Sequence, residues 1–371
     1  MLPVTSLMPY SGLFMEKKRI DIDPPRSILL VKLSAIGDVV HTLPLLEVLR
    51  QNFPEARIDW LIEEEASPMI EGHKDIDHMI VSFRKSWQKR LLSQEGRRDV
   101  VSEIRHFLSD LRSHEYDLVI DLHGLFKSGL LTGLARGRRK IGFTGGKEGN
   151  ILFLTDRPYP FDYNRHALDR YLQAAEYLGC NINTWEGRIP LQAEDKDKID
   201  RLLADHFRPD DTLIAINPMA RWVTKLWEEE RFTKLSERLS QELSCKILFT
   251  GSPSDHPVIE RITTCLNPPP LNLAGRTTLR ELAYLFTRCR LVVTTDTGPM
   301  HIAAAMGVPV VALFGPTAPW RTGPYGEIHT VIRKTLECSP CFRKKCSSLT
   351  CMNSITVEEV FDTIKKILEQ R

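Results

Sequence analysis

Nowhere in its 371 residues does the chain string together the ~20 consecutive apolar residues that a bilayer-spanning helix requires, so no crossing of a membrane is expected. Net charge is small, +2 at pH 7, which removes any global electrostatic case for nucleic acid and leaves anionic partners to local clusters. Neither half carries G-x-G-x-x-G after its first strand-like run, and the missing fingerprint argues against a nicotinamide-dependent dehydrogenase. No short-period repeat or low-complexity tract is present, which excludes solenoids and fibres. Of the eight cysteines, Cys180, Cys245, Cys265 and Cys289 stand singly, a usage that suits a reducing cytoplasm better than a disulfide scaffold.

What is present is a soluble composition on a chain too long for one ordinary core, so two domains are expected. Short β-branched runs at 28–33, 57–62, 77–82 and 116–122 alternate with amphipathic stretches, and the pattern restarts at 212–217, 245–251, 290–296 and 308–315. Such alternation predicts βαβ units and parallel sheets, hence two doubly wound α/β domains facing across a cleft. The acidic, irregular passage near 185–200 is the boundary candidate. We therefore expect an extension at 1–26, a first domain at 27–190 and a second at 191–355. In the extension, Lys17, Lys18 and Arg19 follow the apolar stretch, the reverse of a secretory signal, which favours a loosely docked segment.

The second half offers the clearest ligand signal. In LVVTTDTGPMHIAAAMG an apolar strand runs into Asp296, Thr297, Gly298 and Pro299 and then a small-residue helix. Thr297 or Gly298 can cap that helix, Pro299 fits its first turn, and the free amides with the positive helix end make an anion site suited to a diphosphate. His301 lies in the first turn, within reach of a phosphate oxygen. The bland alternative is a good cap with a surface histidine. Arg221 and Lys225 follow another strand and can neutralise a leaving diphosphate, unless they are only a solvated charge run. Asp255 in TGSPSDH can take a ribose hydroxyl. Thr278 and Glu281 form a capping box with a structural role.

In the first half, ILLVKLSAIGDVVHTLP repeats the strand–turn–helix grammar, with Asp38 in the first turn and His41 one turn later. Asp38 can project into the cleft and act as general base on an acceptor hydroxyl, the helix N-terminus keeping it ionised. A helix-favouring aspartate is the alternative. Arg84, Lys85, Lys89 and Arg90 surround Trp87, and GLARGRRK adds positive charge at 133–140; both clusters suit an anionic, amphipathic acceptor or a membrane surface.

Taken together, VKLSAIGDVVHTLP (31–44), DLHGLFKSGLLTGLARG (121–137), RWVTKLW (221–227) and DTGPMHIAAAMGVPVVALFGPT (296–317) resemble the bacterial ADP-heptose:lipopolysaccharide heptosyltransferases, glycosyltransferase family 9, over most of residues 27–370. The first, second and basic Trp segments look most like heptosyltransferase I. The resemblance implies a GT-B fold, inverting transfer of heptose from ADP-heptose to the Kdo of Kdo-lipid A or to a partial core, and no cofactor or metal for chemistry. It implies Asp38 as base, donor contacts from Lys225, Arg221, Asp255, Asp296, Thr297, Gly298 and His301, and acceptor contacts from Lys32, His41, Arg84, Lys85 and Lys127. It also implies a C-terminal helix at 356–371 that crosses back onto the first domain, and a cytoplasmic enzyme lying peripherally on the inner membrane. The alternatives are a heptosyltransferase II-like enzyme, another acceptor or nucleotide sugar, and a non-catalytic nucleotide-sugar-binding protein. The run Cys338, Cys341, Cys346, Cys351 departs from the heptosyltransferase I pattern. It can be free thiols, a disulfide or a metal site, and its spacing matches no standard pair of ligand pairs.

Overall fold

The computed structural model describes residues 20, 22–92 and 97–370. Two sheets form, and every pair of neighbouring strands is parallel. The first holds β1 (Ser27–Val31), β2 (Arg57–Glu63), β3 (His78–Ser82), β4 (Tyr116–Asp121) and β5 (Gly137–Gly142) in the order β3-β2-β1-β4-β5. The second holds β6 (Leu213–Asn217), β7 (Lys246–Phe249), β8 (Leu271–Asn272), β9 (Leu291–Thr295), β10 (Val310–Phe314) and β11 (Thr330–Arg333) in the order β11-β10-β9-β6-β7-β8. The two doubly wound domains expected from the alternating pattern are present. Strand order reverses once in each sheet, between β1 and β4 and between β6 and β9, and open α/β sheets bind ligands at the carboxyl ends flanking such a switch.

Central strands are legible because both their faces are covered: LIAIN, LVVTT and VVALF are buried at every position and read as mainly apolar runs, with Asn217, Thr294 and Thr295 polar at the carboxyl ends. The strands that escaped the sequence reading, β5, β8 and β11, are edges. β5, GRRKIG, is half-covered, so its polar positions looked like a basic cluster. Arg138 and Arg139 sit at the start of that strand, paired to Glu115, Asp117 and Asp156 at the amino edge of the sheet, far from the cleft.

Two further expectations are corrected. The helix Val357–Glu369 does not cross back onto the first domain. Its apolar face, Val360, Phe361 and Ile364, is buried in the second-domain core with Leu235 and Leu239 of the helix Glu229–Leu243. Arg238 ties the two helices by an ion pair to Glu358 and stacks 3.8 Å over the Phe361 ring. Trp87, set in the basic cluster suited to an acceptor or a membrane surface, turns inward and so does not itself offer that surface. It is 6% exposed, packs on Phe107 and donates through Nε1 to Glu103 at 2.8 Å. The extension falls mostly outside the described residues; Ile20 N–H donates to Tyr177 O and Arg26 N–H to Asp117.

The domains meet where the helix Ile36–Val40, after β1, lies against the helix Gly298–Ala305, after β9. Gly37 permits this, since a Cβ there would stand 2.3 Å from His301 Cδ2. A buried ladder of rings continues the joint, His301 to His41 at 4.3 Å and His41 to His166 at 5.0 Å. His166 Nε2–H donates to Gly323 O at 3.0 Å and Tyr325 donates to Asp169 at 2.8 Å.

Candidate active site

On the first domain, Asp38 stands in the first turn of Ile36–Val40 with its side chain 41% exposed to the cleft. Behind it runs a directed chain of hydrogen bonds. Lys32, 3% exposed, donates to Leu122 O at 3.1 Å and to the Tyr171 hydroxyl at 2.6 Å, and Tyr171 donates to Asp38 Oδ1 at 3.2 Å. Burial works to raise the Asp38 pKa. Burial is the largest single influence, but the Lys32 ammonium, together with smaller contributions from His301, His123 and a hydrogen bond from the Ala35 backbone, outweighs it, and the carboxyl falls below its ordinary value. Lys32 is itself pushed down by burial, partly offset by Asp38 and Asp121. Its amine is thus taken up inside the domain, so the structure places it beneath the carboxylate as a counter-ion instead of on an acceptor wall. His41 likewise lies in the ring ladder, 5% exposed, with burial driving its pKa well down and no surface toward an acceptor.

Two carboxylates that the sequence reading passed over organise the rest of this half. Glu63, at the end of β2 and 3% exposed, accepts from Arg84 at 2.9 Å and from Lys127 at 3.0 Å through Oε1. It binds the first turns of two helices, Arg84–Leu92 and Phe126–Leu134, to one sheet corner beside Ser34. Lys85 pairs with Glu65 outside that knot. Asp121, at the end of β4, accepts from the amides of His123 and Gly124 and from Ser128. These bonds shape the turn that carries Lys127. His123 faces the same basin, pushed down to about 3 by burial and by the charges of Lys32 and Lys127. The only signal for Glu63 and Asp121 in sequence was their position closing an apolar strand.

On the second domain, three loops predicted separately come together because β7, β6 and β9 are neighbours. The helix Gly298–Ala305 begins at Thr297 in extended conformation, with no side chain capping it and a proline in its first turn. Lys225, in the turn Val223–Lys225, pairs with Asp296 Oδ2 at 2.7 Å, and Asp296 also accepts from Thr317 at 2.6 Å. Asp296 is therefore an internal anchor, 6% exposed, that aims the lysine across the helix start. Arg221 is exposed on the same loop, which Thr295 holds by donating to Met219 O. His301 is buried between the helices, pushed down to about 4 chiefly by burial, and is neutral at pH 7. Asp255 accepts from the Ser252 amide and hydroxyl and closes a cap at the edge of the group. Thr278 and Glu281 form the reciprocal cap expected of them.

The cysteine run folds over the Lys225 turn. Arg343 O accepts from Thr224, and Lys344 stands 5.2 Å from the Trp222 ring whose other neighbour is Lys225 at 4.6 Å. The loop thus brings a second cation beside the Lys225 turn, which its spacing in sequence did not suggest. All four thiols are free, and among the described residues no group of three or more His, Cys, Asp or Glu is arranged to hold a metal.

The two halves face each other at contact distance: a Cβ on Gly298 would meet Ile36 at 3.7 Å. An ionised carboxylate, backed by a lysine, therefore opposes an uncapped helix N-terminus with a lysine beside it. That pairing suits attack by a hydroxyl on a carbon whose leaving group is a phosphate. The family model described as glycosyltransferase family 9 (heptosyltransferase) matches residues 104–351. Lipopolysaccharide heptosyltransferase 1 of Pseudomonas aeruginosa is 32% identical over 333 residues, which cover 86% of this chain and 87% of that protein. The glycosyltransferase family 9 structure from Veillonella parvula superposes with a TM-score of 0.82 at 26% identity, covering 95% of this chain and all of that one. The structure of E. coli heptosyltransferase WaaC with ADP-2-deoxy-2-fluoro heptose gives 0.71 at 25% identity, covering 92% and 99%. With family model, relatives and two-domain architecture in agreement, this chain belongs to glycosyltransferase family 9, the heptosyltransferases.

Proposed function

We propose that this glycosyltransferase moves heptose from ADP-heptose to a Kdo sugar of the lipopolysaccharide inner core, in the manner of heptosyltransferase I. The observation that carries the reading is the opposition of Asp38 to the start of the Gly298–Ala305 helix across a joint closed by Gly37. ADP lies on the second domain, its diphosphate against the amides at Thr297 and Gly298, with Lys225 and Lys344 as cations. An acceptor hydroxyl enters between Asp38, His123 and the Glu63 knot, where Lys127 and Arg84 meet the acidic inner core.

In the transfer, the acceptor oxygen forms a bond to the anomeric carbon from the face opposite the phosphate, so the configuration inverts. The bond to the diphosphate breaks, ADP departs with its electron pair, and the acceptor proton passes to the Asp38 carboxylate. A carboxylate held below its usual pKa is a modest base. Positioning by Tyr171 and neutralisation of the departing diphosphate supply the rest of the rate. Because the acceptor is lipid-linked, the enzyme works peripherally at a membrane; no described helix is long and apolar enough to cross one.

The test is turnover with ADP-heptose and Kdo-lipid A, followed by ADP release and by the mass of the lipid. Addition of one heptose supports the reading. ADP binding without transfer to that acceptor, but with transfer to an already heptosylated core, replaces it with a heptosyltransferase II-like activity.

A further inference from the structure

The first domain carries an apolar surface that the transfer reaction does not use. On the helix Phe126–Leu134, Phe126, Gly129, Leu130 and Gly133 recur at helical spacing and share one face. Phe153, from the turn Asn150–Phe153, lies on the two glycines: a Cβ at either would stand 2.7 Å from its ring, which also packs on Phe126 at 5.7 Å. Asn150 is fully buried and donates to Asp121 at 3.3 Å. The turn is therefore anchored firmly at both ends while its two middle residues face solvent. Leu152 is 82% exposed and Ile151 52%, beside Phe126 at 50% and Leu130 at 41%. A mobile loop shows large apolar residues by accident. Here two glycines and a buried asparagine hold them out, and contiguous exposed apolar side chains of this kind mark an interaction surface.

Lys147 and Glu148 are both exposed on the loop beside the patch, and Glu148 accepts from the Phe126 amide. Through Glu63 the patch helix is fixed to the helix Arg84–Leu92, RKSWQKRLL, whose four basic residues outnumber the three glutamates, Glu63, Glu65 and Glu103, that pair with Arg84, Lys85 and Arg90. An apolar prow with a basic flank complements an anionic bilayer, the side chains entering the acyl boundary while the lysines and arginines meet headgroups. We infer that Phe126, Leu130, Ile151 and Leu152 form the membrane-docking surface of this enzyme, which sets the acceptor cleft beside the lipid that carries the acceptor. This rests on the lipid-linked acceptor proposed above, and it assigns apolar membrane contact to Phe126, Leu130 and the turn Asn150–Phe153.

The experiment is flotation of the full chain with vesicles of phosphatidylethanolamine and phosphatidylglycerol, beside vesicles of phosphatidylcholine alone. Wild type is expected to float with the anionic vesicles, less so in high salt, and the double variant Ile151→Ser/Leu152→Ser to lose at least about tenfold in partitioning. Turnover on a deacylated Kdo acceptor is expected to be the same for both proteins. Failure of wild type to float, or equal flotation of the variant, overturns the assignment. So does a dimer of wild type that the variant dissolves without lipid, since the patch then pairs two copies. Loss of turnover on the deacylated acceptor moves these residues into the sugar site and overturns it as well. Flotation needs no sugar chemistry, so absence of heptose transfer alone counts against the proposed reaction and not against the docking surface.

Discussion

Gly37 and His301 belong to different domains, and a Cβ on Gly37 would stand 2.3 Å from the His301 imidazole. The missing side chain lets the helix that carries Asp38, the proposed base, settle against the helix Gly298–Ala305, the proposed phosphate site. Gly37→Ala forces the two apart. Overpacking of this kind costs about 1–3 kcal/mol. We expect a Tm lower by several degrees and a kcat reduced at least tenfold, because Asp38 no longer meets the anomeric carbon. Adding His301→Ala should recover much of the Tm and little of the kcat, measured by calorimetry and ADP release. A single variant with wild-type turnover contradicts the account of the joint.

Asp38→Asn keeps the shape of the base and removes its proton affinity. General-base catalysis contributes ~10²–10⁴-fold, so kcat should fall by that order while ADP binding, read by calorimetry, stays near wild type. Unchanged kcat would remove Asp38 from the role.

Tyr171→Phe leaves Asp38 ionised and unanchored and deprives the Lys32 ammonium of one partner. Hydrogen bonds to charged groups are worth about 1.5–3 kcal/mol, which sets an expected loss of roughly ten- to a hundredfold in kcat with KM for ADP-heptose little changed. The acid limb of the kcat profile should also shift, which a purely structural tyrosine would not cause.

Lys225→Met removes the cation aimed by Asp296 at the helix start. Both ADP affinity and kcat are expected to fall, kcat by roughly a hundredfold, since the lysine meets charge that grows as the diphosphate leaves. Thr317→Val loosens only the anchor on Asp296 and should give a smaller effect of the same sign.

Acidification should weaken the domain joint before it titrates the base. His301 is pushed down to about 4 and His41 well below its usual value, both chiefly by burial. Unfolded, these imidazoles take up protons near pH 6.5; folded, they do not until far lower. The unfolded state thus binds more protons between those values, and stability falls as pH drops from about 6.5 toward 5, by up to ~1.4 kcal/mol per pH unit for each histidine. Asp38 and Glu63, both depressed, add losses in the same direction only at lower pH. Thermal melts from pH 7.5 to 5 should show this slope, and His41→Asn should flatten it.

Local sequence determined much of this protein. Strands covered on both faces, such as LVVTT and VVALF, are mainly apolar, so their runs declared two parallel sheets. The turns after β1, β6 and β9 were legible because a strand entering a helix through small residues has few alternatives. The edge strand GRRKIG was not, since it buries too little to leave a pattern. Side-chain partners were decided by the tertiary structure alone. Tyr171 lies 133 residues from Asp38, Glu63 gathers lysine and arginine from two other elements, and the Val357–Glu369 helix chose the second domain through Phe361 and Arg238. Periodicity records whether a residue is covered; which residue covers it depends on strand order and on how the two domains meet.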